Sequence, residues 1–586
     1  MCGIIGYIGK NVEENLIDGL EKLEYRGYDS AGICVKREQN FYIEKALGSV
    51  EKLKKQTKYS SCEGVGVAHT RWATHGKITI ENTHPHFSQD QNVCLVHNGI
   101  IENFESVKKE LEDEGKTFYG ETDSEVACKL LSGKLSLKKI KNMLEKIEGS
   151  YAFAFISKKN NCIFFAKNKS PLYVAIGQRC ALIASDPSCF IGKAKEFYPI
   201  NDGEYGKLSL KNIVFCDKNG KTVLKKSQKL NIEYKNENKN QYKHFMLKEI
   251  NESEKVVESI IKNYQTEKIL EKLEKIRQMN FNRVYLVGCG TAYHAGLIGE
   301  RYFFENLKKD VYAQKASEFA YKNYILDKNS LCIFISQSGE TIDTISALNY
   351  AKEKGARIVT ITNVEYSTIA SLSEYNLPIC AGQEKAVAST KAYLGQCLVL
   401  YILSQYLSGR DFVLGLEEFK TNIDYGDDKK IKLLAKRLAA SDKVFFIGRG
   451  YDYITSLEAS LKLKEISYIF TCVEPSGELK HGPLALVEEG TNIIVVATEE
   501  NLFSKTLNNA YETLSRGAKL ILVTSFDIDQ KIKNNFEEIF MVRLTCKKLM
   551  PIQTMIFFQK LAYFASTFKK INPDKPRNLA KSVTVE

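Results

Sequence analysis

A cysteine at position 2, directly behind Met1, can hold a nucleophile and its base in one residue. Once Met1 is removed, Cys2 carries the terminal α-amine beside its thiol. A terminal amine with a pKa of about 7.7–8 is partly neutral at working pH. Such an amine can take the thiol proton and activate the sulfur for attack on a carbonyl carbon. Position 2 alone also fits a small residue that merely permits methionine removal. Three further groups offer chemistry. Ser336-Gln337-Ser338-Gly339-Glu340-Thr341 gathers three hydroxyls after an apolar run. Hydroxyls and free N–H groups at a helix start form an anion site, although a plain helix cap is the other reading. Lys462 and Glu465 share one face of a helical stretch at 457–469, either as a proton-handling pair or as a surface ion pair of little weight. His481 stands in Ser476-Gly477-Glu478-Leu479-Lys480-His481-Gly482-Pro483, a glycine-flanked loop of the kind that carries function. Lys, Glu and His together suit proton transfer beside a sugar carbonyl.

Two kinds of scaffold must position these groups. Residues 1–225 are rich in short β-type runs at 2–8, 64–69, 93–97, 150–156, 162–166 and 181–184, with helices at 11–23 and 103–114. The polar stretch 227–243 loses its periodicity toward its end and predicts a linker. From about residue 280 strands and helices alternate, and the pattern repeats. Val284-Tyr285-Leu286-Val287-Gly288-Cys289-Gly290 returns 160 residues later as Val444-Phe445-Phe446-Ile447-Gly448-Arg449-Gly450. Segment 331–335 matches 492–496, and 355–360 matches 517–522. Three matches at nearly one offset predict two copies of one α/β domain. Each copy is an open, doubly wound sheet of buried parallel strands, with ligands at the strands' carboxyl ends. The first copy puts Ser336–Thr341 there, leading into a helix at 341–354. The second puts Thr498-Glu499-Glu500-Asn501 there, and two carboxylates repel phosphate. One phosphate site per chain is expected. Gly288-Cys289-Gly290-Thr291 falls short of a dinucleotide loop, so NAD is not expected.

Composition narrows the class. A chain of 586 residues, 44% hydrophobic and 26% charged, is ordinary globular protein of three or four domains. No apolar run reaches the roughly 18–20 residues of a membrane span, and no secretory signal opens the chain. The fifteen cysteines are scattered, several in apolar runs (Cys94, Cys162, Cys332). That usage suits a reducing, cytoplasmic compartment. The net charge of +12 comes from lysines interspersed with glutamates. It reads as solvated surface that can attract an anionic substrate, with no nucleic-acid partner. Five of the eight histidines lie between His69 and His97, but their spacings match no zinc pattern.

Longer motifs join these observations. They are Cys2-Gly3-Ile4, Arg71-Trp72-Ala73-Thr74-His75-Gly76, His97-Asn98-Gly99, Thr122-Asp123-Ser124-Glu125 and Cys289-Gly290-Thr291. Ser336–Thr341, Val387-Ala388-Ser389-Thr390-Lys391, 478–483 and Pro576-Arg577-Asn578-Leu579-Ala580-Lys581-Ser582-Val583-Thr584-Val585-Glu586 follow. In order, and over nearly the whole chain, they resemble the glutamine–fructose-6-phosphate aminotransferase (isomerizing), or glucosamine-6-phosphate synthase, family. The resemblance implies an α/β and α+β multidomain chain. An N-terminal-nucleophile hydrolase αββα sandwich, the glutamine amidotransferase, takes 1–225 and a linker 226–245. Two SIS domains of doubly wound α/β fold with parallel sheets take 246–415 and 430–575, and 576–586 is a tail of the isomerase site. It further implies transfer of the amide nitrogen of L-glutamine to D-fructose 6-phosphate. The products are D-glucosamine 6-phosphate and L-glutamate, the first step toward amino sugars, with ammonia passed internally. It implies no cofactor, no metal, no membrane, and a homodimer with shared sites.

By the same resemblance Cys2 attacks the glutamine amide, and Asn98 with the Gly99 N–H forms the oxyanion hole. Arg71 clamps the glutamine carboxylate, Asp123 holds the α-ammonium, Thr74, His75 and Gly99 shape the pocket, and Trp72 gates the ammonia passage. Ser336, Gln337, Ser338 and Thr341 bind phosphate. Gly290, Thr291, Val387, Ser389 and Ala580 line the sugar. Lys581 forms a Schiff base with the C2 ketone, Glu465 shuttles the proton between C1 and C2 with Lys462 nearby, and His481 assists ring opening from the other subunit. Two departures stand out: Ala292 replaces a frequent serine, and 247–254 lacks the family's proline. Two rivals have to be weighed. One is an amidotransferase with the same front half, which the repeat opposes. The other is a sugar-phosphate sensor, which need not keep Cys2, Glu465 and Lys581.

Overall fold

The computed structural model describes residues 2–72, 76–230 and 238–583. The chain divides into two compact units, Met1–Asn236 with Ala580–Glu586, and Glu237–Leu579.

In the first unit two antiparallel sheets stack face to face. One runs in the order Gln228–Lys229, Glu196–Pro199, Tyr173–Ile176, Ala181–Ala184, Gly3–Lys10, Glu63–Arg71, Ser30–Arg37, Asn40–Leu47. The other runs Thr222–Val223, Ile213–Cys216, Tyr205–Leu208, Ile163–Asn168, Gly149–Ser157, Val93–Ile101, His86–Phe87. Alternate residues of both sheets, among them Ile4, Val65, Val67, Val96, Ala152 and Phe165, interdigitate in one buried cluster. Helix Val12–Leu23 lays Leu16 and Leu20 on the outer face of the first sheet. Asp123–Lys129 and Leu137–Leu144 cover the second through Ala127, Cys128, Ile140 and Met143. This is the expected αββα sandwich. Gly3–Lys10 is a central strand whose Gly3 faces Thr70. Cys2 therefore sits at the mouth of the sandwich beside Arg71 and Trp72.

The second unit holds two parallel five-stranded sheets of identical order. The first runs Asp310–Lys315, Arg283–Gly288, Ser330–Ser336, Arg357–Thr362, Tyr375–Pro378. The second runs Phe470–Pro475, Lys443–Gly448, Asn492–Ala497, Lys519–Thr524, Glu538–Met541. The repeat is structural down to the turns. Gly290 and Gly450 take φ of 52° and 58° before helices Thr291–Leu307 and Tyr451–Ser467. One core joins the copies, with helices Lys391–Leu407 and Met550–Phe568 buried nearly throughout. Among the described residues no helix is long and apolar enough to cross a membrane.

The structure revises some boundaries. The helix expected at 457–469 is Tyr451–Ser467, because Gly450 makes the turn that starts it. The stretch read as linker begins with Gln228–Lys229, an edge strand that pairs with Glu196 and Phe197. It ends where helix Phe245–Ile250 starts.

Candidate active sites

Cys2 forms the centre of the first site. The Trp72 N–H donates to its sulfur at 3.3 Å, and the thiol faces the Trp72 carbonyl at 3.5 Å. Burial pushes the thiol up, while the Trp72 N–H and Arg71 oppose that shift. Burial thus disfavours the thiolate, so attack by the sulfur calls for a base. Asn98 reaches the Cys2 backbone from the opposite sheet, with Nδ2 donating to Cys2 O at 3.0 Å. The neighbouring Gly99 has φ of 134°, and a Cβ there would meet Ser150 O at 2.0 Å. Only glycine fits there, within strand Val93–Ile101 and opposite Tyr151.

The other pocket residues are locked by their elements. Arg71 ends strand Glu63–Arg71, is buried, and donates to Lys77 O at 3.1 Å and Gly76 O at 3.3 Å. Asp123 opens the helix Asp123–Lys129, whose first turn is capped by the Thr122 hydroxyl accepting from Glu125 N–H. The buried Asp123 carboxylate accepts from Ile101 N–H at 2.9 Å and from the Ser124 hydroxyl at 3.3 Å. Trp72 is half-buried beside Cys2. Thr74 and His75 lie outside the described residues. The first unit thus brings together Cys2, Asn98, Arg71 and Trp72, with Gly99 and Asp123 on adjoining elements.

The histidine run finds a different use from metal binding. His69 and His84 stack with ring centres 3.9 Å apart, and His84 lies edge-on to His86 at 4.6 Å. Burial holds all three well below the ordinary histidine value. Among the described residues no group of three or more His, Cys, Asp or Glu could hold a metal ion.

In the second unit the hydroxyl loop follows strand Ser330–Ser336. Ser336 Oγ accepts the Gly339 N–H at 3.0 Å, and Ser338 Oγ accepts the Glu340 N–H at 3.2 Å. Gly339, at φ 66°, packs so closely that a Cβ would lie 2.0 Å from Ser367 Oγ. Thr341 stands at the cap of helix Ile342–Glu353. The one carboxylate in the loop, Glu340, is turned away and accepts from Thr368 N–H and hydroxyl, both at 2.7 Å. What remains suits an anion.

In the second copy the loop after strand Asn492–Ala497 turns a carboxylate to the neighbouring helix start. Glu499 accepts the Tyr451 N–H at the start of helix Tyr451–Ser467 and pairs with Arg301 at 3.2 Å. Asp452 accepts from Thr498 N–H at 2.7 Å and Glu499 N–H at 3.1 Å. A carboxylate of the chain itself holds the helix start.

Lys462 and Glu465 are a pair at 2.7 Å, but Lys462 is wholly buried, so the surface-pair reading fails. Sequence reasoning missed the hub, Glu458, fully buried one turn before Lys462. It accepts from Thr291 Oγ1 at 3.0 Å and His294 Nδ1 at 2.7 Å, and lies 3.4 Å from Lys462 Nζ. Lys462 also donates to Thr291 Oγ1 at 3.0 Å. Burial alone would lower Lys462, but Glu458 and Glu465 outweigh it and hold the lysine above its ordinary value. Burial pushes Glu458 up, and Lys462 and His294 more than offset it. Glu384 organises the loop of Val387 and Ser389, accepting from Ser389 Oγ at 3.1 Å and Thr390 N–H at 2.8 Å. Val387 N–H donates to Asp574 O at 3.1 Å. Gly290, Thr291 and the hydroxyl loop end paired neighbouring strands, so they share one sheet edge. His481 is exposed at the end of a short turn. Ala580 and Lys581 are counted with the first unit, so the second unit builds its cluster without them.

Comparison with known proteins adds a second line. Residues 69–192 match the glutamine amidotransferase domain family, and residues 277–405 and 437–545 match the SIS domain. The glutamine–fructose-6-phosphate aminotransferase [isomerizing] of Fusobacterium nucleatum subsp. nucleatum is 40% identical, with 100% of both chains covered. The protein of the same description from Clostridium tetani is 41% identical, again over 100% of both. Among solved structures, the C-terminal domain of glucosamine-fructose-6-phosphate aminotransferase from Francisella tularensis is 31% identical with a TM-score of 0.52. It covers 58% of this chain and 100% of its own.

Proposed function

This chain belongs to the glutamine–fructose-6-phosphate aminotransferase (isomerizing) family, and from that premise we propose how its residues divide the work. It transfers the amide nitrogen of L-glutamine to D-fructose 6-phosphate and yields D-glucosamine 6-phosphate and L-glutamate. The observation that carries this is the presence in one chain of the Cys2–Asn98 pocket and the hydroxyl loop Ser336–Thr341.

In the first unit Cys2 is the nucleophile, its own α-amine the base, and Asn98 Nδ2 with the Gly99 N–H the oxyanion donors. Arg71 holds the glutamine carboxylate and Asp123 its α-ammonium. Thr74, His75 and Trp72 line the pocket, and Trp72 bounds the ammonia exit. An enclosed path keeps ammonia from becoming ammonium, which is no nucleophile. Ser336, Gln337, Ser338 and Thr341 take the phosphate, and Gly290, Thr291, Val387, Ser389 and the tail residue Ala580 serve the sugar. Lys581 forms the Schiff base at C2, and Glu465 and Lys462 move the C1–C2 proton. His481 is exposed in its own chain, which supports a homodimer in which it serves the neighbouring sugar site. Of the limits proposed from the sequence (1–225, 246–415 and 430–575, with the tail 576–586), the first extends through the edge strand Gln228–Lys229. All fifteen cysteines are free thiols, which supports the cytoplasmic reading.

Purified protein given glutamine and fructose 6-phosphate is expected to release glucosamine 6-phosphate. Sugar-phosphate binding without product would leave the sensor reading. Borohydride added during turnover is expected to trap substrate on Lys581. A label on any other lysine refutes that assignment.

A further inference from the structure

His69 lies on strand Glu63–Arg71, is 1% exposed, and has no role in the division of work above. Its Nε2 stands 2.9 Å from His97 O and 3.0 Å from Asn98 Oδ1. A backbone carbonyl can only accept, so Nε2 carries the proton. The same N–H meets the Asn98 side-chain oxygen, which fixes the amide: Oδ1 faces His69, and Nδ2 faces Cys2. The ring itself is held in place. His84 stacks on it with an interplanar angle of 12°, and His84 Nδ1 accepts the His97 N–H at 3.2 Å. Burial pushes His69 down to about 3, so it stays neutral and in one tautomer through the working range.

We propose that His69 is a positioning residue for the glutaminase step, setting the Asn98 amide so that its NH₂ end meets the oxyanion. A flipped amide would set a carbonyl oxygen against the negative oxygen formed when sulfur adds to the glutamine carbon. Binding of glutamine, which rests on other groups, needs no such orientation. The inference rests on the reading of Cys2 and Asn98 given above.

The experiment measures glutamate release from glutamine by the full chain. His69→Leu removes the donor, while His69→Gln keeps an N–H donor at the corresponding reach. His69→Leu is expected to lower kcat by about 10²-fold, the scale of one misdirected oxyanion donor, with KM changed less than about twofold. His69→Gln is expected to recover most of that loss. In an Asn98→Ala background His69→Leu is expected to add almost nothing, because the two act as one unit. His69→Met fills the same space if His69→Leu does not fold. An unchanged kcat in a folded His69→Leu or His69→Met protein overturns the proposal. So does a full, additive loss in the Asn98→Ala background. If Asn98→Ala alone keeps the parent rate, the underlying reading of Asn98 fails instead.

Discussion

Replacing Cys2 by serine is expected to slow glutamate release by about 10⁴-fold or more, the scale on which loss of an activated nucleophile is felt. The sulfur occupies a slot in which the Trp72 N–H points at it and burial disfavours the thiolate. Its reactivity thus depends on a neighbouring base accepting the proton, and the α-amine freed by loss of Met1 is the group bonded to the same residue. A hydroxyl in that slot is a far weaker acid than a thiol, so the same amine cannot activate it comparably. The change is small in volume and leaves the strand Gly3–Lys10 intact. On the proposed reading, fructose 6-phosphate affinity rests on groups other than Cys2 and is expected to stay unchanged. Calorimetry for the sugar phosphate beside a glutamate assay checks both halves. A serine variant that releases glutamate at the parent rate would sink the nucleophile assignment. Mass spectrometry of active protein should also show Met1 absent, and retained Met1 at full activity would exclude the α-amine as base.

The features legible in the sequence are those whose cause is local or periodic. Cys2 and the hydroxyl run at Ser336–Thr341 stood out as candidates by type and spacing, and the longer motifs around them gave them roles. The repeat declared itself through strand residues at one offset, since buried parallel strands are constrained on both faces. The hubs were not legible. Glu458 is one more glutamate in a charged helix until Thr291 and His294, from the other copy, close on it. The cue was its place four residues before Lys462 on the same face. His69 reads as part of a histidine-rich run, and only the stacking of two sheets brings its ring to Asn98. Glu499 fell between these cases. Its charge argued against a phosphate site in the second copy, yet nothing local said that it would hold the Tyr451 N–H itself. The start of helix Tyr451–Ser467 was missed because its first turns carry no clean apolar period, and Gly450 decides it by backbone conformation.

Glu458→Gln is expected to destabilise the second unit by about 3 kcal/mol, the lower end of the cost of breaking a buried ion pair. The lower end applies because Lys462 keeps Glu465 at 2.7 Å. At about 1–2 °C per kcal/mol for a unit of this size, unfolding should move down by roughly 3–6 °C. The amide oxygen can still accept from Thr291 or His294 but its NH₂ cannot, so the experiment reads the missing charge together with one lost hydrogen bond. The sign of the pH effect follows from the balance on Lys462. Two carboxylates hold it above its ordinary value against burial. With one gone, burial gains, the pKa falls, and the charged lysine is lost at a lower pH as pH rises. The alkaline limb of glucosamine 6-phosphate formation should therefore shift toward neutrality. Glu458→Leu combined with Lys462→Met removes both buried charges and should regain most of the stability, yet make no amino sugar. That contrast separates a group kept for stability from one kept for chemistry. Unchanged unfolding and an unchanged pH profile in Glu458→Gln would show that the buried carboxylate does not hold Lys462 in its charged state.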